Sequence, residues 1–150
     1  MGGVQYSSYY LLKELQTYNN INPILLLPGK GTFSKLCEKN NIPYKIYLSK
    51  PYMSTSITYN NDRLRFPNPI AWFYNLFSII YNGFQIKSIL KHFNKSIVLS
   101  KGLSSHFTTS IACRNMPNQL IWHLQDLISN RLGGILIYII NWIARKNPDH

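Results

Sequence analysis

The chain has 150 residues, 45% of them apolar, and sets 16 Lys and Arg against five Asp and Glu, for a formal charge of +11. That length suits one domain with a real core, and the basic balance points to anionic partners rather than cationic ones, against the plainer reading of a solvated surface. Cys37 and Cys113 form no CxxC pair and no His/Cys cluster of zinc spacing, which excludes a zinc finger and fits a reduced, cytosolic setting with Cys113 packed in a helix.

Met1 leads into glycines and not into a basic-then-apolar leader. Tyr6 stands where N-myristoylation expects Ser or Thr. After the Gly2-Gly3 turn, Tyr9, Leu11, Leu12, Leu15 and Tyr18 form an apolar stripe that predicts a helix over Tyr6–Tyr18, with Ser7 or Ser8 as its cap. Asn19-Asn20 and Asn22-Pro23 stop it. Ile24–Leu27 reads as a short buried strand. Pro28-Gly29-Lys30-Gly31-Thr32 follows as a glycine loop, but the spacing of a phosphate-binding P-loop is not met. A short helix over Phe33–Asn40 leads through Asn41-Ile42-Pro43 into a strand over Tyr44–Leu48, where Tyr44, Ile46 and Leu48 alternate.

From Ser49 to Pro69 the pattern is poor. Ser54–Tyr59 suits a short strand, and Arg63, Arg65 and Pro67 read as a basic loop. A long helix is predicted from Ile70 to Phe93, with a bend at Gly83. Lys87, Lys91, His92 and Lys95 suit its negative end. The apolar stretch from Ile70 to Phe84 is broken by Asn75 and Asn82, and Ile135–Ala144 is shorter than the ~18 apolar residues a span needs. Neither is expected to cross a bilayer; either can lie on one.

The stretch Ser96–Asp126 organises the rest. Ile97-Val98-Leu99 and Leu120-Ile121-Trp122 are apolar runs bounded by turn residues, which suit buried parallel strands. The Ser/Thr-rich segment from Leu103 to Arg114 is the helical crossover that such pairing needs. Ligands gather at the carboxyl ends of strands in such units. Those ends carry Gly102, His106, His123, Gln125 and Asp126. A loop over Leu127–Arg131 and a last helix over Ile135–Arg145 complete the chain. The alternation of strand and helix predicts one domain without a linker: an α/β fold with a Rossmann-like, mostly parallel sheet and helices on both faces.

The order of these pieces resembles a known family. Gly2–Leu15 has the form GGxxxSxxxLLKEL, a strand ends near Pro28-Gly29, a later strand ends Ser100-Lys101-Gly102 with His106 nearby, and Pro117 leads into Trp122-His123-Leu124-Gln125-Asp126. This is similar to the N-terminal, acceptor-side domain of family 4 glycosyltransferases, one half of the two-domain GT-B fold. In that family a strand precedes the Gly-Gly turn, and a second domain holding the donor follows. The resemblance therefore implies a fragment truncated at both ends, expected to be inactive alone.

The implied activity is transfer of a sugar from a nucleotide-sugar to a glycan or lipid-linked acceptor, with no metal and no cofactor beyond the nucleotide-sugar co-substrate. Gly2 and Gly3 would let backbone amides approach a ligand closely. His123 would be the catalytic histidine and Asp126 would orient a hydroxyl. Many relatives carry histidine where Gln125 stands; Gln125 cannot act as a base and would bind substrate instead. Gly102 and His106 would contact the acceptor. The long helix and the loop at Arg63 and Arg65 would hold that acceptor against an anionic membrane, at its cytoplasmic face. The helix's apolar stripe suits a protein core as well. A different class of reading is a basic, non-enzymatic module for anionic lipid or nucleic acid, although no aromatic-Gly RNA-binding signature is present.

Overall fold

The computed structural model describes residues 2–59 and 64–123, together with Tyr138, Asn141 and Trp142. Helix α1 spans Gly3–Leu15. It starts and ends three residues before the predicted bounds, because glycine and not serine caps it. The Gly2 amide donates to Gln5 Oε1 at 3.1 Å, and Ser8 Oγ donates back to the Val4 carbonyl at 2.8 Å. Strand β1 (Leu25–Leu27), helix α2 (Thr32–Lys39) and strand β2 (Tyr44–Ile46) follow as one parallel unit, with Leu25 opposite Tyr44 and Leu27 opposite Ile46. Leu12, Leu27, Phe33, Cys37 and Ile42 close a first core between α1, α2 and this strand pair. Leu26, pointing the other way, joins a second core.

Strands β3 (Ser56–Tyr59) and β4 (Leu64–Pro67) form an antiparallel pair, with Ser56 opposite Pro67 and Tyr59 opposite Leu64. Arg65 and Pro67 therefore lie in a strand and not in the expected loop. Four residues are too few for their alternation to be read without the partner. Arg63 lies outside the described residues.

Helix α3 spans Pro69–Leu90. Asn68 caps it, its Oδ1 accepting the Ala71 amide at 3.2 Å, and Pro69 takes the first turn, where a missing N–H costs nothing. The chain from Lys50 to Met53 runs extended along α3 and is tied to it by side chains. Asn82 Oδ1 accepts the Lys50 amide at 2.7 Å and Asn82 Nδ2 donates to the Lys50 carbonyl at 3.0 Å. Asn75 repeats this with Met53, at 2.7 and 2.9 Å. Ser78, between them, donates to the Pro51 carbonyl at 3.4 Å. The asparagines that interrupt the apolar run are thus a ladder that supplies an irregular segment with its backbone partners. The helix is continuous through Gly83. A Cβ at Gly83 would lie 2.7 Å from Ile111 Cγ2, so this position serves packing.

Strand β5 (Ile97–Lys101), helix α4 (Leu103–Cys113) and strand β6 (Gln119–His123) form the second parallel unit, in register from Ile97 opposite Gln119 to Lys101 opposite His123. Gly102 joins strand to helix at φ +89°, in the left-handed region that favours glycine. Ile86, Leu90, Ala112, Cys113 and Leu120 form the second core, with Val98 and Trp122 against it. Burial stops at that face. Ile97, Leu99 and Ile121, on the other side of the two strands, are exposed, so among the described residues these strands are covered on one face, where their apolar runs suggested both. The two parallel pairs are not hydrogen-bonded to each other. The described residues thus show a mixed α/β fold with four helices and short parallel strand pairs.

Candidate functional site

The carboxyl ends of β5 and β6 bring Ser100, Lys101, Gly102, Trp122 and His123 to one edge. Strand alternation then sorts them. Ser100 and Trp122 are register partners on the face toward α4, and Lys101 and His123 are register partners on the opposite face.

His106 belongs to the first set. It is 2% exposed, its Nδ1 lies 3.0 Å from Ser100 Oγ, and its ring stacks on Trp122 with centroids 5.2 Å apart. It is a core histidine joining α4 to both strand ends. His106 and His123, both placed at strand ends by the sequence, are therefore not brought together on one face. They share an edge of the sheet but occupy opposite faces.

The second set faces α1. Lys101 Nζ donates to Ser7 Oγ at 2.9 Å, which ties the end of β5 to the second turn of α1. Partial burial lowers the Lys101 pKa from its ordinary value. His123 is exposed at the end of β6 on this same side. Sequence reasoning passed over Lys101, although it stands between Ser100 and Gly102 at a strand end. The signal available was the alternation that pairs it with His123. Gln125 and Asp126 lie outside the described residues, since β6 is described only to His123.

A second feature opens at the amino terminus of α1. A cleft of about 280 Å³ is lined by Gln5, Leu27, Pro28, Gly29, Thr32 and Phe33, among others. The first turns of α1 and α2 border it, and neither carries an acidic residue. Two helix amino termini favour an anionic or hydrogen-bond-accepting group there. Apart from the adjoining backbone, nothing among the described residues lies within 4 Å of a Cβ built at Gly2, Gly3, Gly29 or Gly31, so packing does not demand glycine at these positions and their backbone is open to an approaching ligand. The Pro28–Thr32 loop, which fails the P-loop spacing, nonetheless forms one wall.

Other reactive groups are withdrawn. Cys37 and Cys113 are both buried free thiols. Burial raises the Cys37 pKa, with Glu38 adding to it, and pushes Cys113 up to about 11. Neither is a thiolate nucleophile at neutral pH. Among the described residues no three His, Cys, Asp or Glu gather as a metal site, and no helix is long and apolar enough to cross a membrane. No protein-family model, curated protein or solved structure matches the chain.

Proposed function

We propose that the chain is the acceptor-side domain of a glycosyltransferase, in which the two parallel units belong to one Rossmann-like half of a GT-B fold. What supports this reading is a single juxtaposition: Lys101, bonded to Ser7 of α1, and its register partner His123 lie on one face at the carboxyl edge of β5 and β6. The sequence resemblance assigns that edge to the acceptor and leaves the nucleotide-sugar to a second domain.

In such a reaction the bond from the anomeric carbon to the nucleoside diphosphate breaks as the acceptor oxygen bonds to that carbon. His123 would take the proton that the acceptor hydroxyl gives up, and Asp126 would orient that hydroxyl. Lys101 would place a positive charge toward the departing diphosphate, and the open amides of α1 would add to it. Positioning and charge then supply most of the rate, since the sugar passes through a cation-like transition state. Gly102, in the turn that follows Lys101, would contact the acceptor.

The test is an NMR titration of the isotope-labelled 150-residue chain with a panel of saccharides, lipid-linked saccharides and nucleoside diphosphates. Shifts at Gly3, Lys101 and His123 with a saccharide, weakened by His123→Ala, are expected, with no sugar transferred by the chain alone. A panel that leaves this face unmoved would remove the acceptor site. Turnover from a nucleotide-sugar by these residues alone would place the donor site within them.

A further inference from the structure

Through Phe84, ahead of the buried Ile86 and Leu90, helix α3 is built inside out. Its buried positions include Ala71, Ser78, Asn82 and Gly83, which are small or polar. Its outward face carries Trp72, Phe73, Leu76, Phe77, Ile80 and Phe84, every one exposed, from 40% for Ile80 to 76% for Phe73. These recur at three- and four-residue steps, so they make one continuous stripe along a helix of 22 residues, about 33 Å long. The polar face is already satisfied by the Lys50–Met53 backbone, so the large side chains have no inward alternative. Tyr52 and Met53, also exposed, extend the apolar surface beside the helix. A patch of this kind exceeds the scattered apolar exposure ordinary in a protein surface.

Charge decides what covers it. Between Asp62 and Asp126 the sequence holds seven Lys or Arg and no acidic residue. Lys50 Nζ lies 5.4 Å from the ring centroid of Phe77 and 5.2 Å from that of Tyr81, a cation at the border of the stripe. Lys91, the C-cap of α3, is exposed at its far end. Two copies meeting through this face would bring the Lys50 and Lys91 ammonium groups of both together, with no carboxylate on α3 to offset them, which opposes association. A bilayer with anionic headgroups offers an apolar layer for the rings and negative charge for the lysines at once. Trp72 and the phenylalanines suit the headgroup boundary, and no helix among the described residues spans the hydrocarbon, so contact is shallow.

We propose that the outward face of α3 docks the protein flat on an anionic lipid bilayer, with Trp72, Phe73 and Phe77 in the headgroup boundary and Lys50 at its rim. This docking does not rest on sugar transfer and stands whether or not an acceptor binds near His123.

The experiment is cosedimentation of the full chain with vesicles of phosphatidylcholine, alone or with about one third phosphatidylglycerol, at low and high salt. Binding to the anionic vesicles, weakened by salt, is expected. It should fall by roughly tenfold or more in Phe73→Ser/Phe77→Ser, with circular dichroism unchanged, because both rings lie outside the core. Lys50→Ala should weaken binding by a smaller factor. A blue shift of fluorescence on binding should disappear in Trp72→Phe. Equal binding to neutral and anionic vesicles would overturn the role of charge. Absence of vesicle binding would overturn the proposal. So would a dimer in sedimentation velocity that the Phe73→Ser/Phe77→Ser variant abolishes, if it forms in place of vesicle binding.

Discussion

Helices α3 and α4 lie side by side, and both turn polar side chains inward, but they satisfy them in opposite ways. In helix α4 three hydroxyls are satisfied within the helix, while His106 pairs with Ser100 and Thr108 Oγ1 also meets the Tyr52 hydroxyl at 3.2 Å. Thr108, Thr109 and Ser110 are buried, and each hydroxyl donates to a carbonyl one turn earlier, at 2.7 to 2.8 Å. Helix α3 reaches outside. Asn75, Ser78 and Asn82 spend their bonds on an extended segment more than twenty residues earlier in the chain. A helix that closes its own hydrogen bonds can sit on any apolar neighbour. A helix that supplies another segment's backbone is fixed to it, and from Trp72 to Phe84 its large apolar residues are left facing out.

The contact between the two helices is the place where this contrast breaks most easily. Gly83 of α3 faces Ile111 and the Thr108 carbonyl of α4, and a Cβ there would meet Ile111 Cβ at 2.9 Å and the carbonyl oxygen at 3.1 Å. Backbone on one side and a β-branched carbon on the other leave little room to yield. Gly83→Val should destabilise the chain by about 3 kcal/mol in urea denaturation, despite glycine's poor helix propensity. A change within a few tenths of that of wild type would mean that the helices separate at no cost.

Asn82 tests the bridging half of the comparison. It is 1% exposed and makes two bonds to Lys50. Asn82→Ala strands a backbone donor and acceptor at once, and should cost about 2 kcal/mol. Amide hydrogen exchange at Lys50 should speed up well before global unfolding, since that segment has no strand partner to hold it.

The same contrast explains what was legible in the sequence. The unit β5–α4–β6 was legible, because apolar runs, a glycine joint at Gly102 and a small-residue helix are local signals. The segment Lys50–Met53 was not, because its partners are side chains on α3 and its own residues carry no period. Asn75 and Asn82 were visible only as interruptions of an apolar run. At the candidate site the edge was legible and the faces were not. His106 and His123 read alike until Trp122 is seen stacked on His106, which sends the next residue to the other side. Lys101 follows from the same alternation. Gln125 and Asp126 belong to the sequence reading alone.

Cys113 adds a chemical probe of the interface, because it ends α4 and packs with Ile86 and Leu90 of α3. Burial raises its pKa from 9.0 to about 11. The unfolded thiol ionises first, so this contribution is whole below pH 9.0 and is lost as pH rises toward about 11. Stability at pH 10 should fall by about 1 kcal/mol or less, given the partial solvent contact of the sulfur. Native Cys113 should also resist a thiol reagent at pH 8, with reaction following global unfolding. Fast labelling of the folded chain would show that α3 and α4 part locally at that end.

The smallest expected effect carries the sharpest contrast. Ser110 is as buried as many core residues, and its hydroxyl bond to the His106 carbonyl at 2.8 Å looks on paper like the bonds of Asn82. Removing it strands nothing, since a helical carbonyl already accepts the amide one turn on. Alanine is the better helix former and removes a bond that tends to bend the helix. Ser110→Ala should therefore change stability by no more than about 0.5 kcal/mol, in either direction. A loss as large as that from Asn82→Ala would make α4 as dependent on its polar side chains as α3. Near-neutrality at Ser110 beside a large cost at Asn82 would locate the polar specificity of this fold in the bridge from α3 to Lys50, the same bridge that holds the aromatic stripe outward.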